Sequence, residues 1–187
     1  MTRTVYNTAT SLDGFIATED HSLEWLFTVD LGDQGSGEDD DNEFGRFMKG
    51  IGAVLMGAST YEWVHRHEGD KGWAYDMPSW VLTHRELPPF NGDPDIRFAA
   101  ADSDEELRAL HAKAAESAGG EDLWLVGGGR IAADLARLGL LDEVIVSIAP
   151  VTLGSGAPLL AGRVDLRPLD VHRTGDFACA RYEVVRA

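Results

Sequence analysis

The sequence has few of the features that mark secreted or membrane proteins. It has one cysteine, Cys179, so no disulfide can form within the chain. We interpret Cys179 as a small core or sheet residue in a reducing compartment. No stretch approaches the roughly 20 apolar residues of a membrane span, and no apolar signal segment follows the N-terminus. We therefore expect a cytoplasmic protein without a membrane partner.

Positive charge is also scarce. Lysine and arginine total 16 against 32 aspartates and glutamates, which gives a formal net charge of −16. Such a field repels the phosphates of nucleic acids, so we expect no nucleic-acid partner. Any phosphate-bearing small molecule must be held by a local group of cations and N–H donors.

Several catalytic signatures are missing. No Gly-x-Ser-x-Gly elbow and no P-loop lysine motif occurs in the chain. His65 and His67, with Glu68 and Asp70, have metal-ligand side chains, but they lie in what reads as a loop and have no third well-spaced partner. We interpret them as surface polar residues and predict no metal site.

Apolar segments are frequent and alternate with amphipathic ones. They predict strands near 4–10, 53–56, 80–83, 96–100, 123–126, 143–150 and 178–185, with helices near 42–49, from about 60, over 103–118 and after 129. Long loops are predicted at 30–42 and 66–79. The alternation to about residue 140 indicates a parallel sheet with helices on both faces. We expect the late strands to close one edge as an antiparallel hairpin, in a single α/β domain over 1–187.

A triple glycine follows the apolar segment 123–126. Gly127, Gly128 and Gly129 lead into the amphipathic segment that begins with Arg130 and Ile131. Glycines let a backbone approach a ligand closely, and a helix starting there directs unpaired N–H groups at an anion. The pattern indicates a pyrophosphate site, although a tight strand-to-helix turn without a ligand fits it too.

Two further turns are predicted at the same sheet edge. Gly57-Ala58-Ser59-Thr60 leads from a strand into a helix, and Thr83-His84-Arg85 follows the next strand. Ligands of parallel sheets bind at the carboxyl ends of the strands. The hydroxyl, imidazole and guanidinium groups of 83–85 suit an adenosine 2′-phosphate, which favours NADP over NAD. An ordinary polar loop with a surface arginine is the alternative.

Several motifs occur in a recognisable order: Ser11-Leu12-Asp13-Gly14-Phe15-Ile16-Ala17, Leu55-Met56-Gly57, Thr60-Tyr61-Glu62, Val126-Gly127-Gly128-Gly129, Leu141-Asp142-Glu143, and the segment from Pro150 to Leu160 with its Pro-x-x-Leu-Gly-x-Gly-x-Pro-Leu pattern. This set resembles the dihydrofolate reductase-like superfamily. It is most similar to the branch of the riboflavin-biosynthesis reductase domain, the C-terminal half of a bifunctional deaminase-reductase, and its stand-alone relatives.

The resemblance implies a three-layer α/β fold and an NADPH-dependent reductase. The implied substrate is a small heterocycle (pterin-, pyrimidine- or flavin-like) or a carbonyl or imine compound, as in 5-amino-6-(5-phosphoribosylamino)uracil reductase or dihydrofolate reductase. A homodimer is also implied. By position, the resemblance assigns the nicotinamide to Ala9 and Ile16, the cofactor phosphates to Gly57, Ser59 and Thr60, the 2′-phosphate to Thr83, His84 and Arg85, and the pyrophosphate and nicotinamide side to Gly127, Gly128, Gly129, Arg130 and Ile131.

The chain departs from the superfamily pattern at one turn. Ala58 stands where a phosphate-binding arginine is common, and we expect Arg130 to offset that loss in part. Two acids are candidates for the reaction centre: Asp13, in the loop expected to cover it, and Asp41, at a spacing compatible with a substrate-binding carboxylate.

Two other functions remain open. Gly127-x-Gly129-x-x-Ala132 fits the loose fingerprint of a Rossmann dehydrogenase, but no acid follows at the required distance. The same fold could also serve as a non-catalytic nucleotide sensor or scaffold. The five tryptophans are expected mainly in the core, with one lining a pocket for a flat ring.

Overall fold

The structure is a computed structural model that describes residues 2–30, 42–69, 71–92 and 94–186. Asp41 and most of the predicted acidic loop lie outside these residues. The strands are β1 (Thr4–Thr10), β2 (Phe15–Ala17), β3 (Ile51–Gly57), β4 (Ser79–Leu82), β5 (Ile96–Ala99), β6 (Asp122–Gly127), β7 (Glu143–Ile148), β8 (Ala157–Pro158), β9 (Leu166–Thr174) and β10 (Phe177–Val184). The helices are α1 (Glu43–Met48), α2 (Ala58–Glu68), α3 (Asp104–Ser117) and α4 (Gly129–Arg137), with a 3₁₀ turn at Glu24–Thr28.

Eight strands form one sheet in the order β5-β4-β3-β6-β1-β7-β10-β9. The six strands from β5 to β7 are parallel, whereas β10 runs antiparallel to β7 and β9 antiparallel to β10. Strands β2 and β8 form a separate antiparallel pair. The predicted α/β fold, with a mostly parallel sheet and an antiparallel edge, is confirmed.

The sheet is buried on both faces. In β3, Ala53 and Leu55 pack with residues of α3 and α4, whereas Val54 and Met56 pack with residues of α1 and α2. All four side chains are fully buried. A central parallel strand covered on both sides needs apolar residues at every position, which explains the unbroken apolar run of the sequence.

Helix α3 begins close to its predicted position. The Ser103 hydroxyl accepts a hydrogen bond from the backbone N–H of Glu106 at 3.2 Å. The Glu106 carboxylate accepts from the backbone N–H of Asp102 at 2.6 Å, one residue before the position that a capping box uses. The predicted cap is therefore confirmed, while its reciprocal bond is displaced by one residue.

One local prediction is wrong, and one edge strand is absent from the predictions. Helix α2 continues to Glu68, so His65 and His67 lie on a helix and not in a loop. Strand β9 was not predicted, because its residues are mostly exposed and include Pro168 and several charges, as expected of an edge strand. No helix in the described ranges combines the length and apolar character that a membrane span needs.

Candidate active site

Two strand-to-helix turns lie side by side at one edge of the sheet. Strands β3 and β6 are parallel neighbours, with Met56 paired to Gly127. Helix α2 has Gly57 as its N-cap and α4 has Gly128, and neither helix has a side chain that caps its N–H groups. The first-turn donors of two helices are thus left for an anion, as their dipoles also favour.

The glycines of the β6–α4 turn permit very close packing. A Cβ atom on Gly129 would lie 2.0 Å from the carbonyl oxygen of Pro158, and one on Gly127 would lie 2.8 Å from the Thr60 hydroxyl oxygen. The peptide bond between Gly127 and Gly128 is cis. Because backbone atoms occupy the space beside Gly129, no larger residue fits there without displacing the segment around Pro158.

Both turns open onto one cavity of about 600 Å³. It is lined by nine of the residues that the sequence assigns to the cofactor: Ile16, Gly57, Ser59, Thr60, Gly127, Gly128, Gly129, Arg130 and Ile131. These residues come from β2, the β3–α2 turn and the β6–α4 turn. The structure therefore brings together segments that are more than 100 residues apart in the chain.

Other lining residues are not predicted from the sequence. They are mainly apolar or aromatic: Thr8, Ala17, His21, Leu23, Ala58, Trp63, Val64, Tyr75, Val126, Ala157, Pro158 and Ala161. Trp63 follows Ser59 by one helical turn, a spacing that places both on one face of α2 and could have identified it. Tyr75 lies in an irregular segment, so no periodic pattern marks it.

The aromatic part of the wall is held in place by other rings. The Trp63 ring stacks on His67, with ring centroids 4.2 Å apart, and on Phe27 at 6.2 Å. Tyr75 packs edge-on against Trp124. Burial raises the pKa of the Tyr75 phenol to about 12, so this side chain is neutral at physiological pH.

Ala9 does not line the cavity. Its neighbour Thr8 does, while the Ala9 side chain packs against Ala149, Phe177 and Cys179. Successive residues of a strand point to opposite faces. Any contact between Ala9 and a ligand in this cavity must therefore involve its backbone.

The Thr83–Arg85 turn lies next to the cavity but does not line it. Leu82 of β4 pairs with Gly57 of β3, so the three residues follow the strand beside the first turn. Arg85 donates two hydrogen bonds of 3.0 Å to the Glu62 carboxylate. His84 Nε2 lies 2.8 Å from the Asp102 carboxylate. Both side chains thus already have carboxylate partners.

Asp13, predicted as a catalytic acid, does not line the cavity. Its carboxylate accepts hydrogen bonds from the Ser11 hydroxyl at 2.6 Å and from the backbone N–H groups of Leu153 and Gly154 at 3.0 and 2.7 Å. The Ser11 bond, followed by the backbone bonds, lowers the pKa of Asp13. A lowered pKa favours the ionised carboxylate, and the observed bonds join the Asp13 loop to the segment at Leu153. The role of Asp13 as a proton donor stays a prediction.

The remaining predicted residues differ in their surroundings. Ala58 lines the cavity at the position where an arginine was expected. Arg130 also lines it and is exposed, and its guanidinium has no carboxylate partner among the described residues. Arg130 is therefore available to an anion, in contrast to Arg85. Asp41 lies outside the described residues, so its role as a substrate-binding acid stays a prediction.

A second group of potential ligand atoms lies outside the cavity lining. Atoms of Glu43, His172 and Cys179 lie within 4.8 Å of one another. His172 is already bonded to Asp170 at 2.7 Å and to Glu43 at 3.2 Å. Cys179 is buried and bonded to Ser147. Each of these side chains already has a hydrogen-bond partner in the protein, as in an ordinary contact between a helix and a hairpin.

Comparison with known proteins agrees with this architecture. The uncharacterized protein YwjB of Bacillus subtilis (strain 168) is 32% identical over 184 residues, which cover 95% of this chain and 94% of that protein. A solved structure from Shewanella sp. PV-4, described as a candidate riboflavin biosynthesis protein, matches with a TM-score of 0.75 and 24% identity over 98% of this chain and 99% of that one. Dihydrofolate reductase from Enterococcus faecalis, complexed with NADP(H), matches with a TM-score of 0.54 and 12% identity over 97% and 96% of the two chains. The model of the RibD C-terminal domain matches residues 3–178, and the chain belongs to this family.

Proposed function

We propose that this protein is an NADPH-dependent reductase that transfers a hydride to a small heterocyclic, carbonyl or imine substrate. The observation that carries the proposal is the pair of uncapped helix N-termini, at Gly57 and Gly128, that open onto one cavity. Two neighbouring anion sites suit the pyrophosphate of a dinucleotide. Membership of the RibD C-terminal domain family and the fold shared with an NADP(H)-bound reductase support the same function.

The residues of the cavity fit such a cofactor. The backbone amides that begin α4 and the Thr60 hydroxyl would bind the pyrophosphate, and Arg130 would neutralise part of its charge. Ile16 and Ile131 would confine the nicotinamide and exclude water from it. When bound, NADPH supplies the hydride from its nicotinamide ring. The protein contributes binding, orientation and a dry surface.

The Thr83–Arg85 turn would hold the adenosine 2′-phosphate. Its position beside Gly57 supports this part of the proposal, because the adenosine end of a cofactor would pass from one turn to the next. Arg85 would have to exchange the Glu62 carboxylate for the phosphate. Such an exchange makes the preference for NADPH over NADH depend on Glu62.

Two measurements test the proposal: binding of the nucleotide, and then transfer of its hydride to an acceptor. Fluorescence titration and thermal unfolding with NADPH and NADH should show saturable binding and a higher melting temperature, with NADPH the tighter ligand. Deuterated NADPH should then lose its label stereospecifically to an acceptor. Failure to bind NADPH at millimolar concentration would overturn the proposal.

A nucleotide sensor is the second candidate. One observation favours it: no carboxylate or lysine is present among the described residues that line the cavity. A reaction that needs proton transfer from the protein would then depend on His21, Tyr75 or water. Tight NADPH binding without turnover of any pterin, pyrimidine, flavin or quinone in a panel would favour the sensor over the reductase.

We further propose a cytoplasmic homodimer. The edge strand β9 leaves Leu169 and Val171 exposed, at 50% and 67% of their full surface. An edge strand with apolar side chains is a suitable surface for a second copy of the chain. Light scattering coupled to size exclusion should give twice the monomer mass, and Val171→Lys should reduce it to one monomer.

A further inference from the structure

The cavity has a wall beyond its two phosphate-binding turns, and that wall carries little charge. It includes Leu23, Trp63, Val64, Tyr75 and Val126. The Tyr75 phenol is neutral at physiological pH, since burial raises its pKa further above that range, and the other four side chains cannot ionise. A substrate that reaches this wall therefore meets aromatic and aliphatic surface.

Cations are almost absent from the cavity. Arg130 is the one lysine or arginine among the described residues that line it, and it belongs to the turn where the cofactor pyrophosphate would bind. The 31–41 segment, whose structure is not described, contains five acidic residues and no lysine or arginine by sequence. The protein as a whole has a net charge of −16. The described residues that line the cavity therefore offer no second lysine or arginine for a phosphate on the substrate.

Tyr75 is a lining residue with a polar group, its hydroxyl, that can recognise a heterocycle. The described residues provide no hydrogen-bond partner for this hydroxyl. Tyr75 itself packs against Trp124 and Trp73, which fix its ring. A neutral phenol both donates and accepts hydrogen bonds, so it suits the carbonyl and ring-nitrogen groups of a flat heterocycle.

We propose that the hydride acceptor is an uncharged planar heterocycle without a phosphate group, bound against Trp63, Tyr75 and Leu23. This inference rests on the proposed reductase function and refines its substrate class. It predicts a substrate different from that of a phosphoribosyl-pyrimidine reductase, whose substrate carries a dianionic phosphate. A dianion in a cavity without a second cation loses its hydration and gains no ion pair in return.

Matched probes test the inference. Calorimetric titrations would use lumazine, uridine and uridine 5′-monophosphate, with the protein saturated in NADP⁺ and also without cofactor. Lumazine should bind, and the phosphate of uridine 5′-monophosphate should give no gain over uridine. A gain of about tenfold or more, the effect of one charge-assisted hydrogen bond, would overturn the inference. Absence of lumazine binding from both forms of the protein would overturn it as well.

Variants separate this inference from the cofactor assignment. Tyr75→Phe should weaken lumazine binding about fivefold, the effect of one neutral hydrogen bond, and leave NADPH affinity unchanged. Tyr182→Phe is the matched control, since Tyr182 lies on β10 and does not line the cavity. Leu23→Arg should raise the affinity for uridine 5′-monophosphate but not for uridine. Failure of NADPH to bind at all would overturn the proposed function. The cofactor-free titrations would still test whether the wall binds an uncharged heterocycle.

Discussion

The Gly127–Arg130 turn and the Thr83–Arg85 turn follow parallel strands of one sheet at the same edge, yet they differ in what they offer a ligand. The first presents backbone N–H groups without a capping side chain, and Arg130 without an anionic partner among the described residues. In the Thr83–Arg85 turn, the Glu62 carboxylate binds the Arg85 guanidinium, and the Asp102 carboxylate lies 2.8 Å from His84 Nε2.

The difference follows from the charge of the protein. With 32 acidic residues and 16 lysines and arginines, an exposed cation readily finds a carboxylate. Backbone N–H groups at a helix N-terminus are recessed and fixed in direction, so flexible acidic side chains saturate them less easily. In an acidic protein, backbone donors are thus the more dependable anion site.

The largest effect on NADPH binding is expected when the Gly127–Arg130 turn is altered. Gly129→Ala places a methyl group against the Pro158 and Leu159 carbonyl oxygens, 2.0 and 2.4 Å from the ideal Cβ position. The two segments must separate, at a cost of about 2 kcal/mol in the free energy of unfolding, as for overpacked cores. NADPH binding should become undetectable by fluorescence titration.

Gly50→Ala is the matched control for this change. A Cβ atom on Gly50 would make only an ordinary contact, 3.6 Å from the carbonyl oxygen of Phe47. Its NADPH affinity should equal that of the unaltered protein. Unchanged NADPH binding by Gly129→Ala would show that the Gly127–Arg130 turn is not part of the cofactor site.

A smaller effect is expected at Arg130. Arg130→Ala removes the cation that lines the cavity, so NADPH should bind about tenfold more weakly, the effect of one charged hydrogen bond. The dependence of affinity on salt should also decrease. Arg108→Ala, on the exposed side of α3, is the control and should change neither quantity. If the two variants behave alike, Arg130 does not contact the cofactor.

Much of the fold is predictable because its signals are local. The apolar run of β3 and the Ser103 cap of α3 each follow from neighbouring residues alone, and both are confirmed. Strand β9 could not be found in this way, since it is stabilised by pairing with β10 and has no buried face of its own. The C-terminal end of α2 was not predicted, because Tyr61 and Trp63 mark a helical segment but not the residue at which the helix ends.

The candidate site is predictable only where backbone conformation defines it. The glycines at 57 and 127–129 mark turns in the sequence itself, and all of them line the cavity. The ion pair between Arg85 and Glu62 spans 23 residues, and the hydrogen bond from Leu153 to Asp13 spans 140, so neither contact could be inferred from spacing. The contribution of Tyr75 could not be inferred either, because this residue reaches the cavity from an irregular segment.

The Thr83–Arg85 turn can be changed so that Arg85, like Arg130, is available to an anion. Glu62→Gln removes the charge that holds Arg85, which frees the guanidinium for a 2′-phosphate. NADPH affinity should rise about threefold, the range of an exposed ion pair, while NADH affinity should not change. Titration of both nucleotides measures the ratio. An equal change for NADPH and NADH would place the 2′-phosphate elsewhere.

The smallest effect is expected at Asp13, whose carboxylate, like Arg85, is already satisfied by its own chain. Its pKa is lowered in the folded protein, first by the Ser11 hydroxyl and then by backbone donors of Leu153 and Gly154. The ionised form is therefore favoured by folding, and this stabilisation is present above the ordinary carboxyl pKa and is lost as the pH falls through the lowered one.

Asp13→Asn should lower the melting temperature at pH 7, and the difference from the unaltered protein should shrink in acid. The Asp20 carboxylate also has a lowered pKa, but its side-chain partner is Thr18, two residues away. Asp20→Asn is thus a control that keeps the loops joined, and its effect should be smaller at every pH. NADPH affinity should stay the same in both variants, since neither aspartate lines the cavity. A loss of NADPH binding in Asp13→Asn alone would mean that the contact between the Asp13 loop and Leu153 positions the cofactor as well as the chain.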